Sequence, residues 1–336
     1  MIDFDSLSPD ASAIILLCSS LAAAPGSITP VTPVAFARLV EHMRRQSFRG
    51  VRDLAGLSAD EIVRSLGVPP EEAARYVGLL ARGGQLAFEL DRLRSRGVWV
   101  VTIADDAYPP RLRERLRDSA PPVLFGSGDA SLLRTGGIAI VGSRDADRAA
   151  TDFTEHFAAA AARGGTPVVS GGARGIDATA MQAALAAGGS VVGVVPEGVE
   201  RRLREAATRS AVADGQALLV SPYHPLAAFS AGAAMGRNKL IYALSDVAVV
   251  VSSAEGSGGT WTGALEALKG GWVPVFVREG AGAPDGNRAL VSLGGHPLPD
   301  ELVPETVTAT DLLALAPPPP QAAEPAPAHD QTRLFD

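Results

Sequence analysis

The sequence contains a single cysteine, Cys18, in a chain of 336 residues. One thiol cannot form an intramolecular disulfide or a cysteine-based zinc site, so both are excluded. The five histidines are scattered without the spacing of a metal site, and we expect no metal and no cofactor. Aromatic residues make up only 5% of the sequence, so the core must be filled largely by small and branched side chains.

A long hydrophobic run is also missing. The most apolar segment near the N-terminus, SAIILLCSSLAAA (residues 12–24), is shorter than the ~20 apolar residues that cross a bilayer. The first ten residues, MIDFDSLSPD, are acidic where a secretory signal is basic. We therefore expect a cytoplasmic protein that does not associate with membranes.

An excess of positive charge is absent too, since the formal net charge is −7. Proteins that bind nucleic acids are usually basic on at least one face. The overall charge therefore argues against a broad electrostatic surface for nucleic acids. It leaves room for a local cluster of arginine and lysine side chains in a pocket.

The chain divides into three segments by pattern. Residues 1–95 carry apolar residues at helical spacing, with a capping-box pattern at Ser58 and Glu61, and predict a small helical domain similar to a SAM-like module. Residues 97–312 predict an α/β domain. Residues 313–336 are rich in proline and alanine and predict a disordered tail that serves as a linker.

The central segment alternates β-branched runs with helical patterns. Such continuous apolar strands are typical of a parallel sheet that is covered by helices on both faces. We predict a doubly wound, Rossmann-like domain with six strands, formed by GIAIVGS, PVVSGG, SVVGVVP, ALLVS, VAVVVSS and VPVFV.

Four loops of this domain carry glycines together with arginine, lysine or hydroxyl side chains: VGSRDAD, SGGARGID, GRNK and EGSGGTWTG. Glycine lets the backbone approach a phosphate closely, and the N–H groups at a helix N-terminus then point at the anion. One such loop is common in any fold of this class, but several at one sheet edge predict an anion pocket. The loops match neither a dinucleotide fingerprint nor a Walker A motif. No catalytic constellation stands out, so we expect binding without chemical turnover.

The four loops, in this order, resemble those of the DprA/Smf DNA-processing family within the SLOG superfamily of Rossmann folds. The segments IAIVGSR, VVSGGARGIDATA, GRNKLIYALSD and GSGGTWTGALEALKGGWVPVFV carry the resemblance. It implies a protein that binds single-stranded DNA, loads the recombinase RecA and forms a homodimer. The contacts that the resemblance implies are Ser143, Arg144, Ser170, Gly171, Gly172, Arg174, Gly175, Arg237, Asn238 and Lys239, with Gly258, Gly259 and Thr260 completing the floor of the site.

Two departures from the family pattern leave other functions open. Met181 stands where the family has histidine, and Lys239 stands where it has a second arginine. The GGTWTG loop is also similar to that of the LOG branch, which hydrolyses nucleoside monophosphates. There a glutamate belongs to the loop, whereas here the nearest acid is Glu266, nearly two turns further along. A nucleotide sensor or phosphoribohydrolase is therefore the second hypothesis, and an adaptor in a DNA-sensing defence system is the third.

The C-terminal peptide QTRLF (residues 331–335) resembles the pentapeptide by which bacterial replication proteins dock onto the β sliding clamp. A glutamine followed by two large apolar residues on an extended segment suits a groove with two pockets. We predict that Gln331, Leu334 and Phe335 bind this clamp.

Overall fold

The computed structural model describes residues 7–23, 28–302 and 304–316. The chain forms two compact units. Of the described residues, the first unit holds those up to Phe125 together with Pro222–Pro225, and the second holds Gly126–Ser221 and those from Leu226 to residue 316. The predicted disordered tail and the predicted clamp-binding residues Gln331, Leu334 and Phe335 lie outside the described residues.

The first unit is mainly helical, which confirms the helical character predicted for the N-terminal region. Its elements, in chain order, are α1 (Pro9–Cys18), α2 (Pro33–Arg44), a 3₁₀ helix (Val51–Leu54), α3 (Ala59–Leu66), α4 (Pro70–Leu80), α5 (Gly83–Ser95), β1 (Trp99–Thr102), α6 (Pro110–Leu116), a second 3₁₀ helix (Arg117–Ser119) and β2 (Val123–Ser127). The capping box at the start of α3 is present as predicted, with Ser58 accepting from the Glu61 backbone and Glu61 accepting from the Ser58 backbone.

The apolar N-terminal segment forms the buried helix α1. Ser8 caps its start by accepting a hydrogen bond from the Ala11 N–H, and Pro9 occupies the first turn, where no N–H is needed. The buried Asp10 carboxylate accepts from the Arg52 backbone and forms an ion pair with the Arg52 guanidinium at 2.7 Å. The segment is therefore a packed core helix of the first unit.

The second unit alternates strands with helices. Its elements are α7 (Leu132–Thr135), β3 (Ile138–Gly142), α8 (Arg148–Arg163), β4 (Val168–Ser170), α9 (Ile176–Ala186), β5 (Val191–Val194), α10 (Val199–Arg202), α11 (Ala206–Ala213), β6 (Ala217–Ser221), α12 (Ala231–Leu244), β7 (Val247–Ser252), α13 (Gly258–Gly270), β8 (Val275–Glu279), α14 (Asp285–Ser292), β9 (His296–Pro299), a 3₁₀ helix (Asp300–Leu302) and α15 (Ala309–Leu315). The alternation confirms the predicted α/β class.

The strands of this unit form a parallel sheet in the order β6-β5-β4-β3-β7-β8-β9. From β3 the chain adds β4, β5 and β6 on one side, and then returns to add β7, β8 and β9 on the other. The order therefore reverses between β3 and β7. In open parallel sheets this switch point leaves a crevice beyond the carboxyl ends of the two strands, where ligands bind.

Both faces of the sheet are buried. Alternate residues such as Ile138 and Ile140 of β3 join one apolar cluster with α8, α9, α11 and α15. The intervening Ala139 and Val141 are also buried, on the face that α12 and α13 cover. Side chains that alternate along a strand point to opposite faces, so the doubly wound architecture predicted from the sequence is confirmed.

The six predicted strands are present as β3 to β8, and the described residues contain nine strands in all. Of the three others, β1 and β2 fall in or border the first unit, and β9 is an edge strand that contains Pro297 and Pro299. Prolines cannot donate to a sheet and are tolerated at an edge, so they concealed β9. Directly after β9, the Asp300 carboxylate accepts two hydrogen bonds from the fully buried Arg278 of β8, at 2.7 and 2.8 Å.

Candidate functional site

A cavity of about 370 Å³ opens at the switch point between β3 and β7. We call it the switch-point cavity. Its walls are the end of β3 with the loop that follows, the end of β7, the first residues of α13 and one face of α12. Because the first N–H groups of a helix lack partners within the helix, the start of α13 at Gly258 brings backbone donors to this wall. The cavity therefore suits an anion.

Hydrogen bonds fix the wall that α13 forms. The Thr260 hydroxyl donates to the Gly142 carbonyl at 3.1 Å, which ties the start of α13 to the end of β3. The Asn238 side-chain amide of α12 donates to the Gly259 carbonyl at 3.0 Å. Both side chains line the cavity, but part of their hydrogen-bonding capacity is spent on positioning the glycine loop.

The loops after β3 and β4 meet at Gly175. This residue has a φ of +84°, a conformation that favours glycine, and a Cβ atom here would collide with the backbone of Ser143 and Arg144. The Ile176 N–H, at the start of α9, donates to the Ser143 carbonyl at 3.2 Å. Gly175, the second glycine of the GARGID segment, is therefore required by loop packing. The same packing brings Arg144 beside the loop that follows β4.

Asp177, in the first turn of α9, is buried close to both of these loops. Burial raises the pKa of its carboxyl group to about 6, against the lowering effects of the Arg237 guanidinium and of the nearby backbone N–H groups of Gly142, Ala173 and Gly171. The residue also lines the switch-point cavity.

Arg237 lies inside the protein and not at its surface. The side chain is only 3% exposed, and its Nη2 atom donates to the Gly171 carbonyl at 2.8 Å. A Cβ atom on Gly171 would collide with the guanidinium, so this glycine makes room for the arginine. Arg237 thus links α12 to the loop after β4 and supplies a buried positive charge beside Asp177.

A second cavity of about 300 Å³ adjoins the first, and both are lined by Arg144, Ala173 and Arg237. We call it the arginine cavity, because four of its ten lining residues are arginines: Arg144, Arg174, Arg202 and Arg237. Glu197 is the only carboxylate in this lining. Arg202 is held in place by donating to the Gly172 carbonyl at 3.0 Å and to the Glu205 carboxylate at 2.9 Å.

Most of the predicted site residues surround these two cavities. Ser143, Arg144, Arg237, Asn238, Gly258, Gly259 and Thr260 line the switch-point cavity, and Arg144, Gly171, Gly172, Arg174 and Arg237 line the arginine cavity. Ser170, Gly175 and Lys239 line neither. The Ser170 hydroxyl is fully buried and donates to the Ile140 carbonyl at 2.6 Å, and burial lowers the pKa of Lys239.

Sequence reasoning overlooked several residues of the site. Tyr242 of α12 lines the switch-point cavity, and its buried hydroxyl has no hydrogen-bond partner among the described residues. Three residues line the arginine cavity from segments that no motif marked, namely Arg202 at the end of α10 and Glu197 and Phe229 in loops. An available signal for Tyr242 was helical spacing, because it lies four residues after Asn238 on the same helix.

The fold and site define an α/β protein whose topological switch point carries two adjoining cavities lined by arginines and glycine-rich loops. The family model described as "DNA recombination-mediator protein A" matches residues 99–292, which is more than half of the chain. The chain belongs to this family.

A relative from Mycobacterium tuberculosis, described as a putative DNA processing protein DprA, is 31% identical over 266 residues. The match covers 74% of this chain and 65% of the relative, so the chain spans somewhat less than two thirds of that protein's length.

Two solved structures share the fold. The DprA structure from Streptococcus pneumoniae has a TM-score of 0.67 at 23% identity, and the match covers 92% of this chain and 98% of that one. A DprA from Helicobacter pylori, whose structure concerns its single-stranded DNA binding mode, has a TM-score of 0.50 at 23% identity and covers 65% of this chain and 96% of that one. The predicted family and fold class are thus confirmed.

In the described ranges, no helix is long and apolar enough to cross a membrane. Within the same ranges, His, Cys, Asp and Glu side chains do not gather in a group of three that could hold a metal ion.

Proposed function

We propose that the chain binds single-stranded DNA by its phosphate backbone at the carboxyl edge of the sheet in the second unit. The observation that carries this proposal is the arginine cavity, which four arginines line together with Glu197 in a chain of net charge −7. Two of these arginines, Arg174 and Arg202, also form ion pairs with carboxylates at the edge of the cavity. A local excess of positive charge on an acidic protein indicates a specific anionic ligand. Membership of the recombination-mediator family and the DNA-binding relative from H. pylori support a DNA strand as that ligand.

The two cavities offer different hydrogen-bond donors to a DNA strand. The exposed Arg144 and Arg174 offer guanidinium donors that match the geometry of phosphate oxygens. The start of α13 at Gly258 offers backbone amides on the other side of Arg144. Because Arg144 lines both cavities, a phosphate at this residue lies between them, and the strand on either side has a cavity to enter. Phosphate contacts of this kind are independent of sequence and weaken with salt.

The proposal is tested by titrating a fluorescently labelled single-stranded oligonucleotide with the wild type and with Arg144→Ala and Arg174→Ala. Each substitution should weaken binding by about tenfold and reduce the salt dependence by about one phosphate contact. The matched control is Arg148→Ala, because Arg148 is 93% exposed in the same unit and lines neither cavity. Wild-type affinity in both cavity variants would contradict the proposal.

Nucleotide hydrolysis is the competing function, and the geometry of the acids argues against it. Glu266 is exposed on α13 and lines neither cavity. Of the two acids that line the switch-point cavity, Asp177 is buried and Asp145 is paired with Arg174. Incubation with nucleoside monophosphates and chromatography for the free base would decide the point. Base release that requires Asp177 would establish the hydrolase.

We propose further that the bound strand is delivered to a recombinase of the RecA type. The description of the matching family as a recombination mediator supports this step. An assay of RecA filament growth on DNA coated with single-strand binding protein should show faster growth in the presence of the chain. The homodimer implied by the resemblance would be tested in parallel by sedimentation velocity.

We also propose that the C-terminal peptide binds the β sliding clamp, which would bring the DNA site to replicating DNA. The support is the pentapeptide QTRLF at residues 331–335. Deletion of residues 331–336 should abolish clamp binding and leave oligonucleotide binding unchanged. Clamp binding that survives the deletion would refute this assignment.

A further inference from the structure

Phe229 is an apolar side chain at a charged edge. It lines the arginine cavity, and 54% of its surface is exposed. The guanidinium carbon of Arg144 lies 5.8 Å from the centre of its ring, a cation–π distance. A single exposed apolar side chain is ordinary at a protein surface. A phenyl ring that shares a cavity with four arginines is not explained by the contacts of the core.

The backbone on both sides of Phe229 is fixed. Two residues earlier, the Ala227 carbonyl accepts a hydrogen bond from the Gly198 N–H at 3.0 Å, which ties this loop to the one after β5. At the next residue, the Ser230 hydroxyl caps α12 by accepting from the Ala233 N–H at 3.1 Å. The ring is therefore presented from a short segment between two anchors, and little order remains to be imposed when a ligand arrives.

We propose that Phe229 is the stacking platform for one base of the DNA strand, next to the phosphate that Arg144 and Arg174 hold. This inference rests on the proposed function and extends it, because it assigns the arginine cavity a base as well as a phosphate. Every base has a π face, so the platform accepts all four bases. It distinguishes a strand with exposed bases from a duplex, in which the bases are already stacked on each other.

The experiment combines a protein variant with a modified strand. Phe229→Ala is compared with the wild type on an intact single-stranded oligonucleotide and on one of the same length made wholly of abasic sites. The wild type should bind the abasic strand about tenfold more weakly than the intact strand. Phe229→Ala should lose about tenfold on the intact strand and little more on the abasic one, because both changes remove the same contact.

Two further variants complete the design. Phe229→Trp keeps an aromatic face and should retain wild-type binding, whereas Phe229→Leu keeps an apolar side chain without one and should behave like the alanine variant. The matched control is Phe88→Ala, since Phe88 is 81% exposed in the first unit and does not line the arginine cavity. Thermal melting of each variant reports whether it is folded.

The outcomes separate the two proposals. If the wild type binds both strands equally, or if folded Phe229→Ala binds the intact strand as the wild type does, the stacking platform is refuted and the phosphate site stands. The strand comparison needs only the wild type, so it can refute the stacking platform even if a variant does not fold. If the wild type binds neither strand, the proposed function fails together with the inference.

Discussion

The Arg174 guanidinium forms an ion pair with the Asp145 carboxylate, with 2.6 Å between Nη2 and Oδ1. Both side chains are more than three-quarters exposed. Exposed pairs of this kind contribute about 0–1 kcal/mol to stability. The pair therefore holds the arginine loosely, and a phosphate that binds Arg174 must displace a carboxylate from it.

Removing that carboxylate should strengthen DNA binding. Asp145→Asn deletes a negative charge beside the proposed phosphate position, and we expect oligonucleotide affinity to rise about threefold at low salt, with less gain at high salt. Fluorescence anisotropy at two salt concentrations measures the effect. Asp152→Asn is the control, because Asp152 forms a comparable exposed pair with Arg148 away from both cavities. Weaker binding by Asp145→Asn would mean that Asp145 orients Arg174 productively.

Arg237 should matter more for stability than the exposed arginines do. Arg237→Ala leaves the Gly171 carbonyl without its buried donor and removes the cation beside Asp177. We expect the free energy of unfolding to fall by about 2–4 kcal/mol, as when one partner of a buried charged interaction is removed. Denaturant unfolding measures this, with Arg148→Ala as the exposed control. An unchanged unfolding midpoint for Arg237→Ala would show that the loop after β4 does not depend on it.

The hydroxyl of Tyr242 should be dispensable for folding. Among the described residues it has no hydrogen-bond partner, and burial raises its pKa far above the usual value for tyrosine. Removing a buried polar atom that lacks a partner is neutral or stabilising, so Tyr242→Phe should melt at or slightly above the wild-type temperature. Because the residue lines the switch-point cavity, weaker oligonucleotide binding by this variant would identify the hydroxyl as a ligand contact.

The raised pKa of Asp177 predicts a pH dependence of stability. The group binds its proton near pH 6 in the folded chain and near pH 4 when unfolded, so between these values the folded state holds more protons. Its contribution, at most about 3 kcal/mol, is complete below pH 4 and is lost as the pH rises through 6. Unfolding free energies measured from pH 4 to pH 7 should show this decline for the wild type.

Asp177→Asn provides the comparison for this pH effect. The variant should lack the decline, because an amide does not titrate in this pH range. Three other acids, Glu61, Asp129 and Asp311, have lowered pKa values from hydrogen bonds to hydroxyl and backbone groups, and they act in the opposite sense at acid pH in both proteins. A wild type and variant with parallel pH profiles would rule out Asp177 as the cause.

The fold was largely predictable because its signal is periodic. Runs such as IAIVG are apolar at every position, as strands buried on both faces must be, and helices follow each run. The strand β9 gave no such signal, since two of its four residues are prolines and it is held in the sheet by pairing with β8 and, just beyond its end, by the ion pair between Arg278 and Asp300. Contacts between residues distant in sequence leave no local pattern.

The glycine loops of the site were predictable for the same kind of reason, but the roles of single residues were not. The motifs place both Arg237 and Arg174 at the site. In the structure, however, Arg237 is buried and positions a loop, whereas Arg174 is exposed to solvent and pairs with Asp145. That difference arises from the packing of α12 against the sheet. Phe229 lies in a segment of small residues, LAAFSAGAAMG, whose spacing predicts neither exposure nor a cavity.

The carboxyl group of Asp177 is buried close to the backbone N–H groups of Gly142, Gly171 and Ala173. The loops of the proposed DNA site are thus packed around a buried side chain, and a strand that binds there has little backbone to rearrange. We expect encounter kinetics governed by diffusion and charge, with an association rate that falls as ionic strength rises. Amide hydrogen exchange in these loops should already be slow in the unliganded protein and should change little when the strand binds.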